Sequence, residues 1–283
     1  MARTTLRVAL MVVAMATVSA CGNEPGGTNS STAATPLSAT PVPASSVVVS
    51  GTVSDTAFRA LAGAVVEVMT GPQTGLRTTS NGAGEFVFAG QFDDTSTFQA
   101  TKDGFATATQ PLGPYCEQCR PNRWVHFTLS TLTAAVDISG DYEMTVDVAS
   151  SCTSIPAELR SRTYQARIPS PAAGGNGYVP VPVTGADFVP GWDRVDIGVA
   201  GADVGLWSES LLERVSPTNF LIIGVSAAGV VPASNPQTIS LWASGRIAYC
   251  TVEAGHSERE CFTTTARVSV CDSSGHSIVF TRR

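Results

Sequence analysis

Positive charge is scarce in this sequence of 283 residues. It contains one lysine, Lys102, and three histidines. Its charged fraction is 14%, against about 25% in an average soluble domain. A formal net charge of -6 at pH 7 argues against a nucleic-acid-binding protein, which needs a basic surface to neutralise phosphates. Three histidines also leave little material for a metal centre or for acid–base catalysis, and we predict no cofactor.

The motifs of common hydrolases and metalloenzymes are absent. No histidine lies in a His-Glu-x-x-His pattern, which would place two zinc ligands on one helix face. The segment Gly224 to Gly229 is one residue too long for the Gly-x-Ser-x-Gly turn of a nucleophilic serine. The run His256-Ser-Glu258 lacks the Pro-Cys-x-x-Cys that follows in zinc deaminases. We therefore expect a protein that is not an enzyme.

The apolar run at the N-terminus, Val8 to Val18, is too short for a membrane-spanning helix, which needs about 20 residues. With two arginines before it and small residues after it, the run is typical of an export signal. Val18-Ser19-Ala20-Cys21 resembles the lipobox of bacterial lipoproteins. The resemblance implies a signal peptide over residues 1–20 and acyl chains on Cys21 that anchor the protein to a membrane. Gly22, in place of an aspartate, favours the outer membrane or the cell surface.

Residues 21–46 predict a flexible linker after the anchor. In residues 22–46, 22 of 25 residues are Gly, Asn, Pro, Thr, Ser or Ala. Such a segment cannot bury enough apolar surface to offset the entropy lost on ordering. At roughly 5–6 Å × √n, the linker would hold the folded part on the order of 28 Å from the anchor.

From residue 47 onward, short apolar runs alternate with turn residues. Val65 to Met69 and Glu85 to Phe88 have the period of two that half-buried strands require. Gly, Pro, Asn and Asp separate such runs, and Gly63, Gly84 and Gly104 are expected at turns. Short strands at this spacing are typical of an antiparallel β-sandwich.

The order of glycines and aromatic residues in this region resembles that of the carboxypeptidase regulatory-like domain. The matching motifs are Leu61-x-Gly63-Ala64-x-Val66-x-Val68, Gly84-x-Phe86-x-Phe88 and Lys102-x-Gly104-Phe105. The resemblance covers residues 47–112. It implies a transthyretin-like β-sandwich that spaces or binds, with no peptidase activity, in a fold shared with starch-binding modules. We place this module at residues 47–130, because the alternating run after Cys119 reads as its last strand.

Residues 131–283 contain eight or nine more strand-like runs and no long helix, which predicts an antiparallel β-barrel or a second sandwich. Gly140-Asp141-Tyr142 resembles the Gly-x-Trp that opens lipocalin-type barrels, with Tyr142 in place of the Trp. Arg282 stands where that family has an arginine against the aromatic ring. This likeness implies a closed barrel whose mouth admits a small apolar ligand.

Six cysteines remain after Cys21, and an even number in an exported protein predicts disulfides. One pair flanks a polar turn between two strands, and another would join the first and last strands of a closed barrel. The last pair forms a Cys-x-x-Cys loop, where a redox pair or half a zinc site is the alternative to a bridge. The expected bridges are Cys116–Cys119, Cys152–Cys271 and Cys250–Cys261.

Several aromatic residues in the second module are candidates for stacking against a ligand, although aromatic residues of β-domains also fill cores. Asp193 and Asp196, and the pair Asp93-Asp94, are candidate calcium ligands. Turn acids more often accept hydrogen bonds from their own backbone, so we predict no metal. The candidate ligand-binding residues are Tyr178, Trp192, Trp207 and Trp242.

Together these features predict an all-β, lipid-anchored protein of the bacterial outer membrane or cell surface. We expect it to bind carbohydrate or another surface protein, or to act as a structural spacer, and not to bind nucleic acid. A barrel that binds a small apolar ligand is the alternative. An accessory domain of an enzyme is the third hypothesis.

Overall fold

The computed structural model describes residues 47–113, 122–170, 177–262 and 266–283. The predicted signal peptide, Cys21 and the linker lie outside these residues. The described chain consists of two all-β modules, a sandwich followed by a barrel. Within the described residues, no helix has the length and apolar character needed to cross a membrane.

Seven strands form the first module, called here the sandwich. One sheet has the order β4-β1-β7 and the other β3-β2-β5-β6. Val66, Val68, Phe86 and Phe88 are buried between the two sheets, as their period of two predicts. The strands are β1 (Val47–Asp55), β2 (Val65–Thr70), β3 (Arg77–Thr79), β4 (Glu85–Gly90), β5 (Thr97–Thr101), β6 (Ala108–Pro111) and β7 (Asn122–Leu129).

The predicted antiparallel β-sandwich is present, but one strand pair in one of its sheets is parallel. β1 pairs antiparallel with β4 but parallel with β7, so this sheet is mixed. The reason lies in the connection from β6, which belongs to the other sheet. A strand that enters by such a crossover can run parallel to its neighbour, whereas a hairpin would force it to run antiparallel.

Nine strands form the second module, called here the barrel. Strands β8 to β12 pair antiparallel in chain order, β14 pairs with β12 and β15, and β16 pairs with β15 and β8. Eight strands therefore close into a circle. The strands are β8 (Gly140–Asp147), β9 (Ser161–Ile168), β10 (Tyr178–Thr184), β11 (Arg194–Ala200), β12 (Asp203–Trp207), β13 (Leu211–Ser216), β14 (Asn219–Val230), β15 (Thr238–Thr251) and β16 (Arg267–Arg282).

Apolar side chains fill the interior of the barrel. Met144, Ile197, Leu206, Ile247 and Phe280 are each at most 2% exposed and belong to one core cluster with residues from the surrounding strands. A barrel of eight strands is just wide enough for side chains to fill its interior. The centre of this barrel is thus a packed core.

Tyr142 and Arg282 connect the first strand of the barrel to the last. The Arg282 guanidinium carbon lies 5.0 Å from the centre of the buried Tyr142 ring, and Arg282 Nη2 donates a hydrogen bond to the Tyr142 hydroxyl at 2.8 Å. The hydroxyl in turn donates to the carbonyl oxygen of Ile138 at 2.9 Å. This contact adds a cation–π interaction to the strand pairing of β8 with β16.

The wall of the barrel is interrupted beside β14. β13 pairs with the first part of β14 and β12 with its last part, so the two shorter strands lie end to end along one edge. The backbone N–H of Ser208 donates to the Val225 carbonyl oxygen at 2.9 Å within this interruption. Trp207 is the last residue of β12 and therefore stands at the break in the wall.

Two of the three expected disulfides lie in the described residues. Cys152, in the loop after β8, is bonded to Cys271 of β16, and Cys250 of β15 is bonded to Cys261. Both pairs are those predicted from the sequence. The third expected pair, Cys116 and Cys119, lies outside the described residues.

Candidate functional site

A cleft between the sandwich and the barrel contains two of the four aromatic residues predicted to bind ligand. Tyr178 begins β10 and Trp207 ends β12, and these residues are 41% and 44% exposed. The cleft has a volume of about 470 Å³. Its lining residues are Tyr178, Asp196 and Trp207 from the barrel, and Phe58, Gln110, His126, Thr128 and Ser130 from the sandwich side.

Strand register brings the barrel residues of the cleft together. Asp196 of β11 is the register partner of Trp207 of β12, and Tyr178 of β10 is the partner of Gly198 of β11. Alternate side chains of a strand point to opposite faces. Asp196, Trp207 and Tyr178 consequently all lie on the outer face of the barrel.

Two glycines let the sandwich approach this face closely. Gly198 and Gly205 are register partners on β11 and β12. A Cβ atom on Gly198 would overlap the carbonyl oxygen of Thr56, and one on Gly205 would overlap that of Ala57. The loop that follows β1 therefore lies directly on the barrel wall, and its position forms one side of the cleft.

The same loop makes specific contacts with the barrel. Thr56 Oγ1 donates a hydrogen bond to the carbonyl oxygen of Val199 at 2.5 Å. The ring of Phe58 lies 5.6 Å from that of Tyr178, centre to centre. Phe58 has a φ of 61°, in the left-handed region that costs a residue with a side chain on the order of 1 kcal/mol or more. The contact with Tyr178 helps to hold this strained residue in place.

Charged groups reinforce the junction. Asp55 is fully buried, and its carboxylate accepts hydrogen bonds from the Ala57 backbone N–H at 2.9 Å and from Arg59 Nε at 2.8 Å. Arg59 Nη1 also lies 2.6 Å from Asp203 Oδ2, which belongs to β12 of the barrel. One arginine thus bridges a carboxylate of each module, so the two sides of the cleft are held in a defined relation.

His126 lies on the sandwich side of the cleft between two hydroxyl groups. Its Nδ1 is 2.7 Å from Thr52 Oγ1, and its Nε2 is 3.2 Å from Thr128 Oγ1. Burial lowers the pKa of His126 below its ordinary value. The lowered pKa favours the neutral form of the ring, whose two nitrogens contact hydroxyl groups at the edge of the cleft.

Asp196 is the carboxylate of the cleft. Burial raises its pKa above the ordinary value, and the charge of Glu209 adds to this effect while that of Arg194 opposes it. A neighbouring cavity of about 230 Å³ shares Asp196 and Trp207 with the cleft and is also lined by Trp192. A polar ligand in the cleft would meet a hydrogen-bond acceptor here.

The other two predicted aromatic residues, Trp192 and Trp242, do not line the cleft itself. The ring of Trp192 stacks on that of Phe262, with centres 5.3 Å apart, and packs against a small apolar cluster beside the barrel. Trp242 of β15 is 79% exposed. Its register partner on β14 is Ala228, which pairs in turn with Gly205 of β12, so Trp242 lies two strands away from Gly205. The structure thus brings Tyr178 and Trp207 into one cleft and leaves Trp242 apart from it.

Sequence reasoning missed the residues that the sandwich contributes. Phe58 and His126 lie more than 50 residues before Tyr178 in the chain, and nothing in their local pattern shows that they face the barrel. The available signal was the glycines at positions 198 and 205. Glycine inside a strand often marks the close approach of another backbone.

The candidate calcium ligands do not form a metal site in the described residues. Groups of three or more His, Cys, Asp or Glu side chains suited to a metal ion are absent from that part of the chain. Asp93 Oδ1 instead accepts hydrogen bonds from the Thr95 backbone N–H at 2.9 Å and from Thr95 Oγ1 at 2.6 Å. These bonds lower the pKa of Asp93, and they are the local turn interactions expected of such an acid.

A second, more apolar cavity lies at one mouth of the barrel. Its volume is about 410 Å³, and the segment of residues 130–136 that connects the two modules lines one side. β8 and β10 begin at this mouth, and β9 and β11 end there. The apolar lining from the barrel side includes Ile138, Ile168, Val179, Ile197 and Val199.

Comparison with known proteins identifies part of the chain. The family model of the carboxypeptidase regulatory-like domain matches residues 48–149, which include the sandwich, the connecting segment and strand β8 of the barrel. A search of curated proteins finds no match. The matched part is about a third of the sequence, and the sandwich within it has the fold that this family implies. Residues 48–149 of this chain are therefore similar to the carboxypeptidase regulatory-like domain.

Proposed function

We propose that this protein is a non-catalytic surface protein that binds carbohydrate in the cleft between its two modules. The observation that carries the proposal is the pair of partly exposed aromatic side chains, Tyr178 and Trp207, in a cleft whose other lining residues, apart from Phe58, are polar. Sugar rings present flat C–H faces, which stack on aromatic rings, and hydroxyl groups at their edges, which need hydrogen-bond partners.

The polar groups of the cleft suit a ligand rich in hydroxyls. Gln110, Thr128 and Ser130 both donate and accept hydrogen bonds, and Asp196 accepts them when it is ionised. The volume of about 470 Å³ lies in the range of roughly 300–1,000 Å³ found for small-molecule sites. We infer that the cleft holds one or two sugar rings.

The second part of the proposal concerns location. The lipobox-like sequence ending in Cys21, followed by a linker rich in small polar residues, supports a lipid anchor at the bacterial outer membrane or cell surface. Disulfides form in oxidising compartments outside the cytosol, so the bonds Cys152–Cys271 and Cys250–Cys261 favour export. Metabolic labelling with palmitate in a bacterial host should label the wild-type chain and not Cys21→Ala, and equal labelling of both would refute the anchor.

The decisive experiment for binding compares tryptophan variants on insoluble polysaccharides. A form without the predicted signal peptide and Cys21, residues 22–283, is mixed with cellulose, chitin, xylan and starch granules. Bound protein is measured after sedimentation. Trp207→Ala should weaken binding about fivefold or more, because a stacked ring contributes on the order of 1 kcal/mol beyond the area that it buries.

Trp242→Ala is the matched control for this experiment. It removes the same kind of side chain from a more exposed position outside the cleft, so its binding should equal that of the wild type. Retention of full binding by Trp207→Ala, or no binding of the wild type to any of the four polysaccharides, would contradict the proposed function.

A small apolar ligand is the second candidate, and the cavity at the barrel mouth is the observation that favours it. Five apolar side chains of the barrel line this cavity. Its volume of about 410 Å³ suits a ligand of modest size. Native mass spectrometry of the protein purified from a bacterial host would detect such a ligand as an added mass. Val179→Trp, which fills the cavity from a partly buried position, should abolish the addition, and a spectrum of bare protein from the wild type would speak against this function.

A further inference from the structure

A second exposed tryptophan stands on the sandwich, outside the cleft. Trp124 of β7 is 60% exposed and is the register partner of Ser50 of β1, which in turn pairs with Val87 of β4. Val87 is 57% exposed. Trp124 and Val87 lie in register on the outer face of this sheet. They form an apolar surface that is not buried within the sandwich.

The surface around Trp124 is continuous with the cleft. Trp124 and His126 lie on the same face of β7, two residues apart, and His126 lines the cleft. A further cavity of about 310 Å³ is lined by Thr52, Phe58, His126 and Trp207, among others, and so joins the outer face of the sheet to the barrel side of the cleft. At about 3.3 Å per residue, the distance along β7 from Trp124 to Thr128 is ~13 Å.

The chemistry of this outer face matches that of the cleft. Hydroxyl side chains, Ser50 and Thr52 on β1 and Thr128 on β7, lie between and beside the aromatic residues. The acid on this face, Glu85 of β4, accepts a hydrogen bond from Asn81 Nδ2 at 3.1 Å. A strongly charged ligand would find little to bind here, whereas a neutral chain of sugar rings would find rings to stack on and hydroxyls to bond to.

We propose that Trp124, His126 and Trp207 belong to one extended site for a linear, uncharged polysaccharide, with Trp124 as a distal subsite. This inference depends on the proposed function and adds the class of ligand, a chain of several sugars. The cleft binds the first rings, and the outer face of the sandwich binds the chain as it continues past His126.

The test measures how affinity depends on ligand length. Dimers and hexamers of four series, β-1,4-glucose, β-1,4-N-acetylglucosamine, β-1,4-xylose and α-1,4-glucose, are titrated calorimetrically into residues 22–283. In the series that binds, the hexamer should bind at least tenfold more tightly than the dimer. Trp124→Ala should remove most of that gain and leave the affinity for the dimer unchanged, whereas Trp207→Ala should weaken both ligands.

Trp242→Ala again serves as the control, and near-ultraviolet circular dichroism checks that every variant is folded. Equal affinity of dimer and hexamer, or an equal loss for both ligands in Trp124→Ala, would overturn the extended site while leaving carbohydrate binding in place. Absence of binding in all four series would overturn both proposals, so the two kinds of failure are distinguishable.

Discussion

His276 is a buried titratable side chain on β16, on the strand that carries Cys271. Its Nδ1 accepts a hydrogen bond from the backbone N–H of Ala149 at 3.0 Å, so this nitrogen carries no proton in the folded state. Burial lowers the pKa of the ring below its ordinary value of 6.5. A proton added at Nδ1 would meet the N–H of Ala149 and remove the hydrogen bond that holds the loop after β8.

Acid should therefore destabilise the barrel through His276. Because the pKa of His276 is lower in the folded state, the unfolded chain binds a proton at this residue more strongly than the folded protein does. The contribution of His276 to the free energy of unfolding is therefore complete above about pH 6.5 and decreases as the pH drops below that value. His276→Asn keeps an oxygen acceptor near Ala149 and cannot titrate. The free energy of unfolding, measured with denaturant from about pH 7.5 to about pH 5, should then fall less steeply than in the wild type.

His256 provides the control of opposite sign. The ring is exposed, and its hydrogen bond with Glu260 raises its pKa, so it stabilises the fold below about pH 6.5 and loses that contribution as the pH rises through the raised pKa. His256→Asn should therefore make the loss of stability on acidification slightly larger. A slope in His276→Asn equal to that of the wild type would contradict the role of His276.

At the scale of elements, the loop after β1 and the strands β11 and β12 decide whether the cleft exists. Thr56 and Ala57 lie against Gly198 and Gly205 so closely that a methyl group at either glycine would overlap a carbonyl oxygen. An added methyl group would displace the loop, because protein interiors are packed as densely as organic crystals and leave no space to absorb it. The two modules should thus separate locally before either of them unfolds.

Gly205→Ala is expected to open the junction. The added methyl group would push the loop from the barrel at a cost of about 1–3 kcal/mol, and the radius of gyration from small-angle X-ray scattering should rise while the circular dichroism of the strands is retained. Binding to the polysaccharide should fall together with the docking. Gly82→Ala, in a turn of the sandwich where a Cβ has nothing within 4 Å, should change neither quantity, and an unchanged radius in Gly205→Ala would refute the predicted separation.

At the scale of the whole molecule, the two disulfides close loops of different length. The bond Cys152–Cys271 joins residues 119 apart in sequence, whereas Cys250–Cys261 joins residues 11 apart. The first bond lies beside the pairing of β8 with β16 that closes the barrel. The two cysteines that it joins are separated by most of the sequence of the module. A longer loop restricts the unfolded chain more.

Removal of the long-range disulfide should cost more stability than removal of the short one. By the chain-entropy model, the losses are about 5 and about 3 kcal/mol. Thermal unfolding of Cys152→Ser/Cys271→Ser and Cys250→Ser/Cys261→Ser, each under oxidising conditions, tests the order. A larger drop in Tm for the short-range pair would show that packing of the hairpin region, rather than chain entropy, dominates.

Local patterns were enough to predict the all-β class, the strand faces and two disulfide pairs. Val66, Val68, Phe86 and Phe88 have the alternation of half-buried strands and are buried. The mixed sheet could not be predicted in the same way, because the direction of β7 depends on a crossover between sheets rather than on its own residues. Closure of the barrel likewise depends on pairing between β8 and β16, at opposite ends of the module.

Sequence by itself determined which side chains were available for binding, since tryptophan and tyrosine are visible in any chain without knowledge of the fold. Only the tertiary structure decided which of them meet. Tyr178 and Trp207 come together because their strands are two apart on the barrel, and Phe58 and His126 join them because a loop docks on two glycines. Such contacts depend on shape and close approach between distant segments, and neither property is encoded in the local periodicity of the sequence.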